Sequence, residues 1–591
     1  MTTDERESSR AVCATCSYVN DIGDRFCGRC GRSTGASVPP RAEPSRRQVD
    51  FSTRYLSAAA QLDPKFAEAA IAESLVERTR AIAPSPGISS ATVLREAVAA
   101  RARRRLRDAI LVALVVAVFV TSAQAAMVWL VLASVGVTVF GMTGRTRRWP
   151  VIVAGVLAVV VLVPLVLIGT GLVPVDGVDQ QFGNTRQVVV LLFLAAGVAA
   201  VCLVDEALVE SLVRDRFRPS TFAPAVVLPS GWERTVRMFG TRRWEGALGR
   251  VAEADERYRR AHDEADVIVY RERIPFVGSG PVVDDKIVAL PLTPGTAPDG
   301  TRLVPRPFAA SDLHAHVAAV VGELRDSVAL APSRRLSAMT IREQVLISAE
   351  RLVTNLHRQP QAAVLPDVAG PPVTHLRLAD VRHLADRPEE WIRYHRCFRV
   401  EAWDHDLATS TYFTAGTDAR MLYLEWTHCV LYPIKERYRE IDRTPQFGAV
   451  LRGLGVAFVL PVTLGERARR VVHYFRRMPQ RPGDLVPAKY GAGRSLRELG
   501  SDPGAQDFFQ DADAVRYVGI IERAVYRAVG RFLEDRGYSV VDFMEVAKAS
   551  ITNNTVAVSG GTFAGGLSVG IGTVTQQNNQ GENSPRGRKK P

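Results

Sequence analysis

The sequence predicts a multi-domain fold made of a small zinc ribbon, an α-helical transmembrane block of four spans, and an α+β cytoplasmic domain. Two Cys-x-x-Cys pairs lie near the N-terminus, and four apolar segments alternate with arginine clusters between residues 101 and 210. Helical and strand patterns then alternate through residues 206–545. A chain of 591 residues has room for these separate units.

The first unit, residues 1–33, contains four paired cysteines, Cys13 with Cys16 and Cys27 with Cys30. Two residues between cysteines allow both thiolates of a tight turn to face one ion, and two such turns complete a tetrahedral zinc site. Because the protein supplies all four ligands, this pattern predicts a structural Zn²⁺ rather than a catalytic one. A redox-active pair of dithiols is the competing interpretation. The segment resembles the small zinc ribbons found at the ends of many bacterial membrane proteins.

Residues 34–50 are rich in Ser, Gly, Pro and Arg, which is typical of a flexible linker. Residues 51–108 follow as a juxtamembrane helical region. Within it, Asp63 and Pro64 form a helix start signal, because a carboxylate can cap the first turn and proline suits the first helical position. We expect a further helix from Ser90 into the first apolar segment.

The transmembrane block, residues 109–205, is predicted from apolar segments at 109–123, 125–142, 151–173 and 188–204. Arginines cluster on one side of these segments: Arg101, Arg103, Arg104, Arg105, Arg107, Arg145, Arg147, Arg148, Arg214, Arg216 and Arg218. The two links on the other side hold one arginine and two aspartates. This asymmetry is what the positive-inside rule predicts for four passes with both termini cytoplasmic. It predicts a multi-pass protein of the plasma membrane, with the lipid bilayer as a partner.

The number of spans depends on a break at residues 121–124. A single helix over 109–142 would be about 50 Å long, well beyond a hydrocarbon core of about 30 Å. One long tilted helix would leave three spans and would put the first two arginine clusters on opposite sides of the membrane. The one-sided charge therefore favours two short helices.

The net charge of +13 raises the question of nucleic acid binding. Much of the excess lies in the arginine clusters, where it orients the protein and contacts anionic lipid headgroups. Nucleic acid is therefore disfavoured as a partner. The three cysteines outside the two pairs are isolated, which argues against a disulfide framework and fits a reducing compartment.

The cytoplasmic domain, residues 206–545, is predicted to be α+β. Helical spacing is found over 311–330 and 337–356, and β-branched and aromatic residues predict strands at 398–403, 410–414 and 421–426. A strong amphipathic pattern predicts a helix over 507–535, with Gly537 as its C-cap.

A Gly-x-Gly turn at residues 275–280 is the most suggestive motif of this domain. Such a turn after a strand can present backbone N–H groups to a phosphate. The turn lacks the third glycine of a dinucleotide fingerprint and the lysine of a P-loop, so a structural turn is favoured. Nearby, Asp284 and Asp285 are candidate ligands for a divalent ion, but adjacent carboxylates on a strand point to opposite faces.

The histidines suggest two further sites. His314 and His316 are two residues apart in a predicted helix and so lie on different faces. Asp404, His405 and Asp406 follow a strand and are candidates for a metal site or a general base. Because no partner from elsewhere is evident, a solvated turn is favoured. The sequence contains no nucleophile elbow, HExxH, kinase or Walker motif, so we assign no catalytic or cofactor-binding residue.

The segments at 54–63, 84–87, 275–280 and 421–425 are similar to those of a family of uncharacterised actinobacterial multi-pass membrane proteins. The resemblance runs from about residue 50 to residue 545. It implies a helical arm, a membrane block and a cytoplasmic domain, and it brings no known activity and no catalytic residues.

Residues 546–591 form a low-complexity, β-prone tail. Residues 550–580 are almost uncharged, alternate small or polar residues with Val, Leu and Phe, and end in an amide run, a composition that favours cross-β association. This segment weakly resembles the C-terminal amyloid signalling motifs of bacterial immune effectors and adaptors. A disordered tail is the favoured interpretation.

Together these features favour a membrane-anchored cytoplasmic scaffold or sensor without enzymatic activity. We expect it to bind protein partners or to self-associate through the ribbon or the tail. One alternative is an enzyme with an unrecognised site in the cytoplasmic domain. Another is a membrane effector triggered by self-assembly of the C-terminal tail.

Overall fold

A computed structural model of the chain describes residues 10–12, 19–21, 50–142, 185–219, 222, 242–260, 263–326, 336, 339–357, 361–418, 420–443, 448–475 and 485–552. The chain divides into two compact units, one ending at Asp50 and one beginning at Phe51. In the first unit, strands β1 (Arg10–Val12) and β2 (Val19–Asp21) pair antiparallel. The zinc ribbon of the predicted fold is not supported: the described residues contain no group of three or more His, Cys, Asp or Glu able to hold a metal ion, and the four cysteines predicted as its ligands lie outside them.

The second unit contains a seven-stranded mixed sheet. Its strands are β3 (Glu264–Tyr270), β4 (Val282–Pro291), β5 (Thr340–Ser348), β6 (His375–Arg377), β7 (Ile392–Ala402), β8 (Leu407–Thr417) and β9 (Met421–Leu431). The order across the sheet is β4-β9-β8-β7-β5-β3-β6, and within it the β3–β5 pair is parallel. The three segments predicted as strands overlap β7, β8 and β9.

Helices precede, interrupt and follow this sheet. Before it lie α1 (Asp50–Leu62), α2 (Pro64–Ile71), α3 (Ser90–Thr121), α4 (Ala123–Met142), α5 (Thr185–Arg216) and α6 (Glu245–Arg260). Between strands lie α7 (Ala310–Gly322), α8 (Ala349–Thr354), α9 (Gln361–Val364), α10 (Leu378–Val381) and α11 (His383–Asp386). After it come α12 (Glu436–Arg439), α13 (Gly448–Phe458), α14 (Leu460–Phe475), α15 (Pro487–Tyr490), α16 (Leu496–Gly500), α17 (Phe508–Asp535) and α18 (Val541–Thr552).

The largest core lies between the β7–β9 part of the sheet and helix α17. Helix α17 coincides with the predicted amphipathic helix, and Asp507 caps it by accepting a hydrogen bond of 2.7 Å from the Phe509 N–H. Its side chains Ile521 and Val525 belong to the same buried cluster as Phe398 and Trp426. Full burial of apolar side chains of this size contributes about 1.5–3 kcal/mol each.

A second core joins the N-terminal helices to the C-terminal part of the chain. Leu56, Phe66 and Leu94 pack in one cluster with Val251 and Leu496. The predicted helix start is present, since the Asp63 carboxylate accepts hydrogen bonds from the Lys65 and Phe66 N–H groups. Helices α1 to α3 therefore belong to the same packed body as the sheet.

The predicted block of four membrane spans is wrong. In the described part of the chain, one helix, Val189–Arg216, is long and apolar enough to cross a membrane, and Ala123–Val135 is a shorter apolar helix. The predicted break is present, because α3 ends at Thr121 and α4 begins at Ala123. However, the apolar part of α3 after its arginines, residues 109–121, is about 20 Å long, shorter than a hydrocarbon core of about 30 Å. The predicted span at 151–173 lies outside the described residues, and a multi-pass topology is not supported.

The helix predicted over 337–356 is wrong over residues 340–348, which form strand β5, whereas residues 349–354 form helix α8. This strand lies between β3 and β7, with Val345, Leu346 and Ile347 all buried. Consecutive buried residues show that both faces of the sheet are covered here. Periodicity alone does not distinguish such a short apolar run from a buried helix.

Candidate functional site

Helix α3 connects the helical core to the apolar helices. Its first half is buried, with Leu94 and Ala97 in the core, whereas its last turns expose apolar side chains, including Val120 at 82%. Between these halves lies a set of charged side chains from α3, α5 and α14. We call this set the arginine junction: Arg103, Arg104, Arg107, Asp108, Asp205, Arg467 and Arg470.

Two buried carboxylates hold the arginine junction together. The Asp108 side chain is 1% exposed and binds Arg107 at 2.9 Å, Arg467 at 2.7 Å and Arg470 at 3.3 Å. Asp205 binds Arg107 at 2.7 Å and so links α3 to α5. Because buried charges are costly unless they are paired, these contacts are what allows the arginines to be packed between helices.

Helices α13 and α14 pack against the apolar helices α3, α4 and α5. Gly453 lies so close to α5 that a Cβ atom added there would be 3.1 Å from the Leu203 Cα. At the next bend, the Phe458 carbonyl accepts a hydrogen bond of 3.1 Å from the Trp129 Nε1–H of α4. Leu460 is then buried against Leu111 of α3. Helix α13 therefore packs along α5, and helix α14 packs along α3.

Sequence reasoning missed these two helices, although a signal was present. Residues 448–465 form an almost uninterrupted apolar stretch in which Arg452 is the single charge. The Arg452 guanidinium binds the Glu206 and Glu210 carboxylates of α5 at 3.1 and 3.2 Å.

Arg54 links the C-terminal end of α5 to the C-terminal region. Its guanidinium donates to the Phe217 carbonyl at 2.7 Å and forms two hydrogen bonds, of 2.8 and 2.9 Å, with the Asp442 carboxylate. The Tyr55 hydroxyl donates to the same carboxylate. A bidentate arginine–carboxylate pair is geometrically specific, so α1, α5 and the segment around Asp442 are held in one arrangement.

The glycine turn at 275–280 is occupied by a carboxylate of the protein itself. The Gly278 and Gly280 N–H groups each donate to Glu498 Oε1 at 2.9 Å. Both glycines have positive φ, and a Cβ atom at Gly278 would lie 2.3 Å from the Pro84 carbonyl oxygen. The favoured interpretation of a structural turn is the one that these contacts support. The turn thus connects the segment around Pro84, which precedes α3, to Glu498 of α16.

In the turn at Asp404, His405 and Asp406, two of the three side chains form ion pairs with residues outside the turn. Trp403, Asp404 and His405 all have positive φ, and Gly87 packs against the His405 side chain. His405 Nδ1 is hydrogen-bonded to Glu401, and Asp406 is ion-paired with Arg439. The carboxylate partner of His405 thus comes from the adjoining strand, four residues earlier. Residues 403–406 form the predicted turn, in which Asp404 is exposed and His405 and Asp406 are partly buried.

Three of the remaining histidines are core residues. Burial lowers the pKa of His314 to about 3, and that of His395 and His428 to about 4, so all three are neutral at pH 7. His314 accepts a hydrogen bond of 3.2 Å from the Ala415 N–H, whereas His316 lies beside the Phe532 ring. These two histidines are separated as predicted.

The other candidate ligands do not form a metal site among the described residues. Asp284 is ion-paired with Lys286, which also binds Glu522 of α17. Asp285 lies next along the strand and is paired in register with Thr427. The four cysteines proposed as zinc ligands, Cys13, Cys16, Cys27 and Cys30, lie outside the described residues, as does most of the predicted tail. The zinc site at these cysteines stays a prediction.

Residues 287–565 match the family described as the AbeC-like domain. The match begins within β4, includes β5 to β9 and α7 to α18, and covers just under half of the chain. It contains α13 and α14, which provide one side of the arginine junction. No curated protein and no solved structure matches the chain.

The glycine turn leads to a stability prediction. We expect Glu498→Ala to destabilise the fold by about 2–4 kcal/mol, because the Gly278 and Gly280 N–H groups would lose their acceptor. Glu498→Gln keeps an acceptor oxygen and should cost about 1 kcal/mol. Thermal unfolding in a neutral detergent measures both, with the exposed Glu534→Ala as control. Equal stability of Glu498→Ala and the control would contradict the assignment.

The His405–Glu401 pair leads to a pH prediction. The hydrogen bond to Glu401 raises the pKa of His405, while His405 lowers the pKa of Glu401 against the opposing effect of burial. The stability supplied by His405 is therefore full below about pH 6.5 and is lost as the pH rises through its raised pKa. His405→Gln should cost about 2 kcal/mol at pH 6 and distinctly less at pH 9. A destabilisation that is the same at both pH values would contradict the pair, and the exposed His383→Gln is the control.

Proposed function

We propose that the protein is a membrane-anchored, non-enzymatic scaffold or sensor that holds its sheet-containing domain at the cytoplasmic face of the membrane. The observation that carries this proposal is the continuous packing from the apolar helix α5 into that domain. The contacts of α5 with α13 and of its C-terminal end with Arg54 form this path.

The apolar surface of the helices supports the membrane part of the proposal. Phe193 of α5 is 75% exposed, and Val116, Val120 and Val128 on α3 and α4 are also exposed. A contiguous apolar surface of this kind is unfavourable in water and marks a site of contact with lipid or protein. The arginine junction borders this surface, as expected where a helix leaves a bilayer.

The connections between α5 and the domain support the scaffold or sensor part. A shift or rotation of α5 would act on Asp442 through Arg54 and on α13 through Arg452. The buried histidines pack as neutral core residues, and the glycine turn is filled by Glu498. The histidines and the glycine turn, which were the candidates for a catalytic site, thus serve packing. This favours a role in binding over a role in catalysis.

The proposal is tested with the full chain carrying a proximity-labelling tag in cells. Phe193→Arg places a charge in the apolar N-terminal half of α5, which should cost up to about 2–3 kcal/mol of insertion and reduce the membrane-bound fraction. Ile287→Arg is the matched control, since Ile287 is 73% exposed on strand β4. We expect the wild-type chain and Ile287→Arg to label the same proteins, and Phe193→Arg to lose them.

Two results would contradict the proposal. If all three chains are extracted from membranes by carbonate at high pH, α5 is not an anchor. If the wild-type chain labels nothing beyond a tag-only control, the protein is not a scaffold.

A further inference from the structure

A cavity of about 250 Å³ opens at the arginine junction, between α2, α3 and α14. Its walls carry five arginines, which are Arg101, Arg104, Arg105, Arg469 and Arg470. The two carboxylates in its walls are Glu68 and Asp108. The side chains on α3 recur at three- and four-residue spacing and so share one face of that helix.

Both carboxylates already have partners. Glu68 binds Arg101 at 3.2 Å, and Asp108 binds Arg107, Arg467 and Arg470. Arg469 forms no ion pair or hydrogen bond with the residues that the structure describes. The positive charge of the walls therefore exceeds what the carboxylates neutralise.

Arg104 provides the second observation that points to a ligand. Its side chain is buried, with 7% of the residue exposed, and Nη2 donates to the Ala60 and Gln61 carbonyls at the end of α1. Nη1 is buried and has no hydrogen-bond partner within the described residues. Burial, followed by repulsion from Arg103 and Arg107, lowers the pKa of Arg104 to about 10, so it remains charged at pH 7.

The location of the cavity indicates which kind of anion could bind in it. Leu106 and Ile110, within two turns of Arg104 on α3, are exposed apolar residues. The cavity thus lies where α3 passes from the cytoplasmic core to its apolar part, the level at which lipid phosphates lie. Arginine is the side chain that binds phosphate oxygens with two parallel hydrogen bonds, and basic pockets between membrane helices bind anionic headgroups.

We propose that this cavity binds the phosphate headgroup of an anionic phospholipid, with Arg104 and Arg469 contacting the phosphate oxygens. The inference rests on the proposed membrane anchoring and adds a ligand to it. A bound headgroup would neutralise the excess charge of the junction and would satisfy Arg104 Nη1. It would also link α2, α3 and α14 through one lipid, so that the packing of the junction depends on lipid composition.

The test is native mass spectrometry of the full chain in neutral detergent, titrated with short-chain phosphatidylglycerol or phosphatidylcholine. We expect phosphatidylglycerol to bind at least tenfold more tightly. Arg469→Gln, at an exposed position, should weaken that binding about fivefold. Arg104→Gln should weaken it at least as much, and the exposed Arg273→Gln should leave it unchanged. If Arg104→Gln does not fold, the Arg469→Gln measurement stands by itself.

Several results would overturn the assignment. Equal binding of the two lipids, or wild-type affinity in Arg469→Gln, would show that the cavity is not a headgroup site. Displacement of phosphatidylglycerol by an equal concentration of inorganic phosphate would identify a free phosphate anion as the ligand instead. Because the chain is in detergent, this test does not require α5 to insert, whereas carbonate extraction tests insertion without involving the cavity. The two proposals can therefore fail separately.

Discussion

The packing of this protein depends on neutralising arginines where the apolar helices meet the rest of the second unit. Asp108 and Asp205 do this from within the helix bundle, and each contacts arginines of α3 while Asp108 also reaches α14. Removal of one partner from a buried ion pair typically costs about 3–5 kcal/mol, because a charge is left without compensation. Without these two carboxylates, the arginines packed between α3, α5 and α14 would be buried without compensation.

The same constraint explains the architecture around the junction. Arg452 pairs with Glu206 and Glu210 of α5, and Arg54, which is paired with Asp442, donates to the Phe217 carbonyl at the end of α5. Apolar packing through Leu111 and Leu460 fills the space between these pairs. The domain is therefore attached to α5 at several points rather than through a single flexible connection.

Local signals in the sequence were sufficient for elements whose stability is local. Asp63 and Pro64 start a helix through contacts within one turn, and the 507–535 pattern forms α17 because its apolar face has a core to pack on. The strands β7 to β9 were found from their composition, although their ends were misplaced. Strand β5 was mistaken for a helix, since only its two neighbouring strands explain why Val345, Leu346 and Ile347 are all buried.

In the candidate sites too, local features could be recognised in the sequence, whereas partners distant along the chain could not. The glycines at 278 and 280 were recognisable, but their acceptor, Glu498, lies more than two hundred residues away and carries no sequence signal linking it to the turn. The arginines of α3 were noted as an orientation signal, yet their partner helix α14 was unknown, so the cavity could not be anticipated. The span count was wrong because apolar composition does not give the length of the helix that forms. Helix α3 ends at Thr121, so its apolar part, residues 109–121, is about 20 Å long and too short to cross a bilayer.

The central claim is that the exposed apolar surface of α3, α4 and α5 faces lipid while the sheet faces water. It is tested most directly with a fluorescent unnatural amino acid placed at Val120 or at Ile287 in the full chain, since both positions are largely exposed. In vesicles, we expect brominated phospholipids to quench the label at Val120 and aqueous iodide to quench the label at Ile287. Strong iodide quenching at both positions, with no quenching by brominated lipid at Val120, would contradict the account.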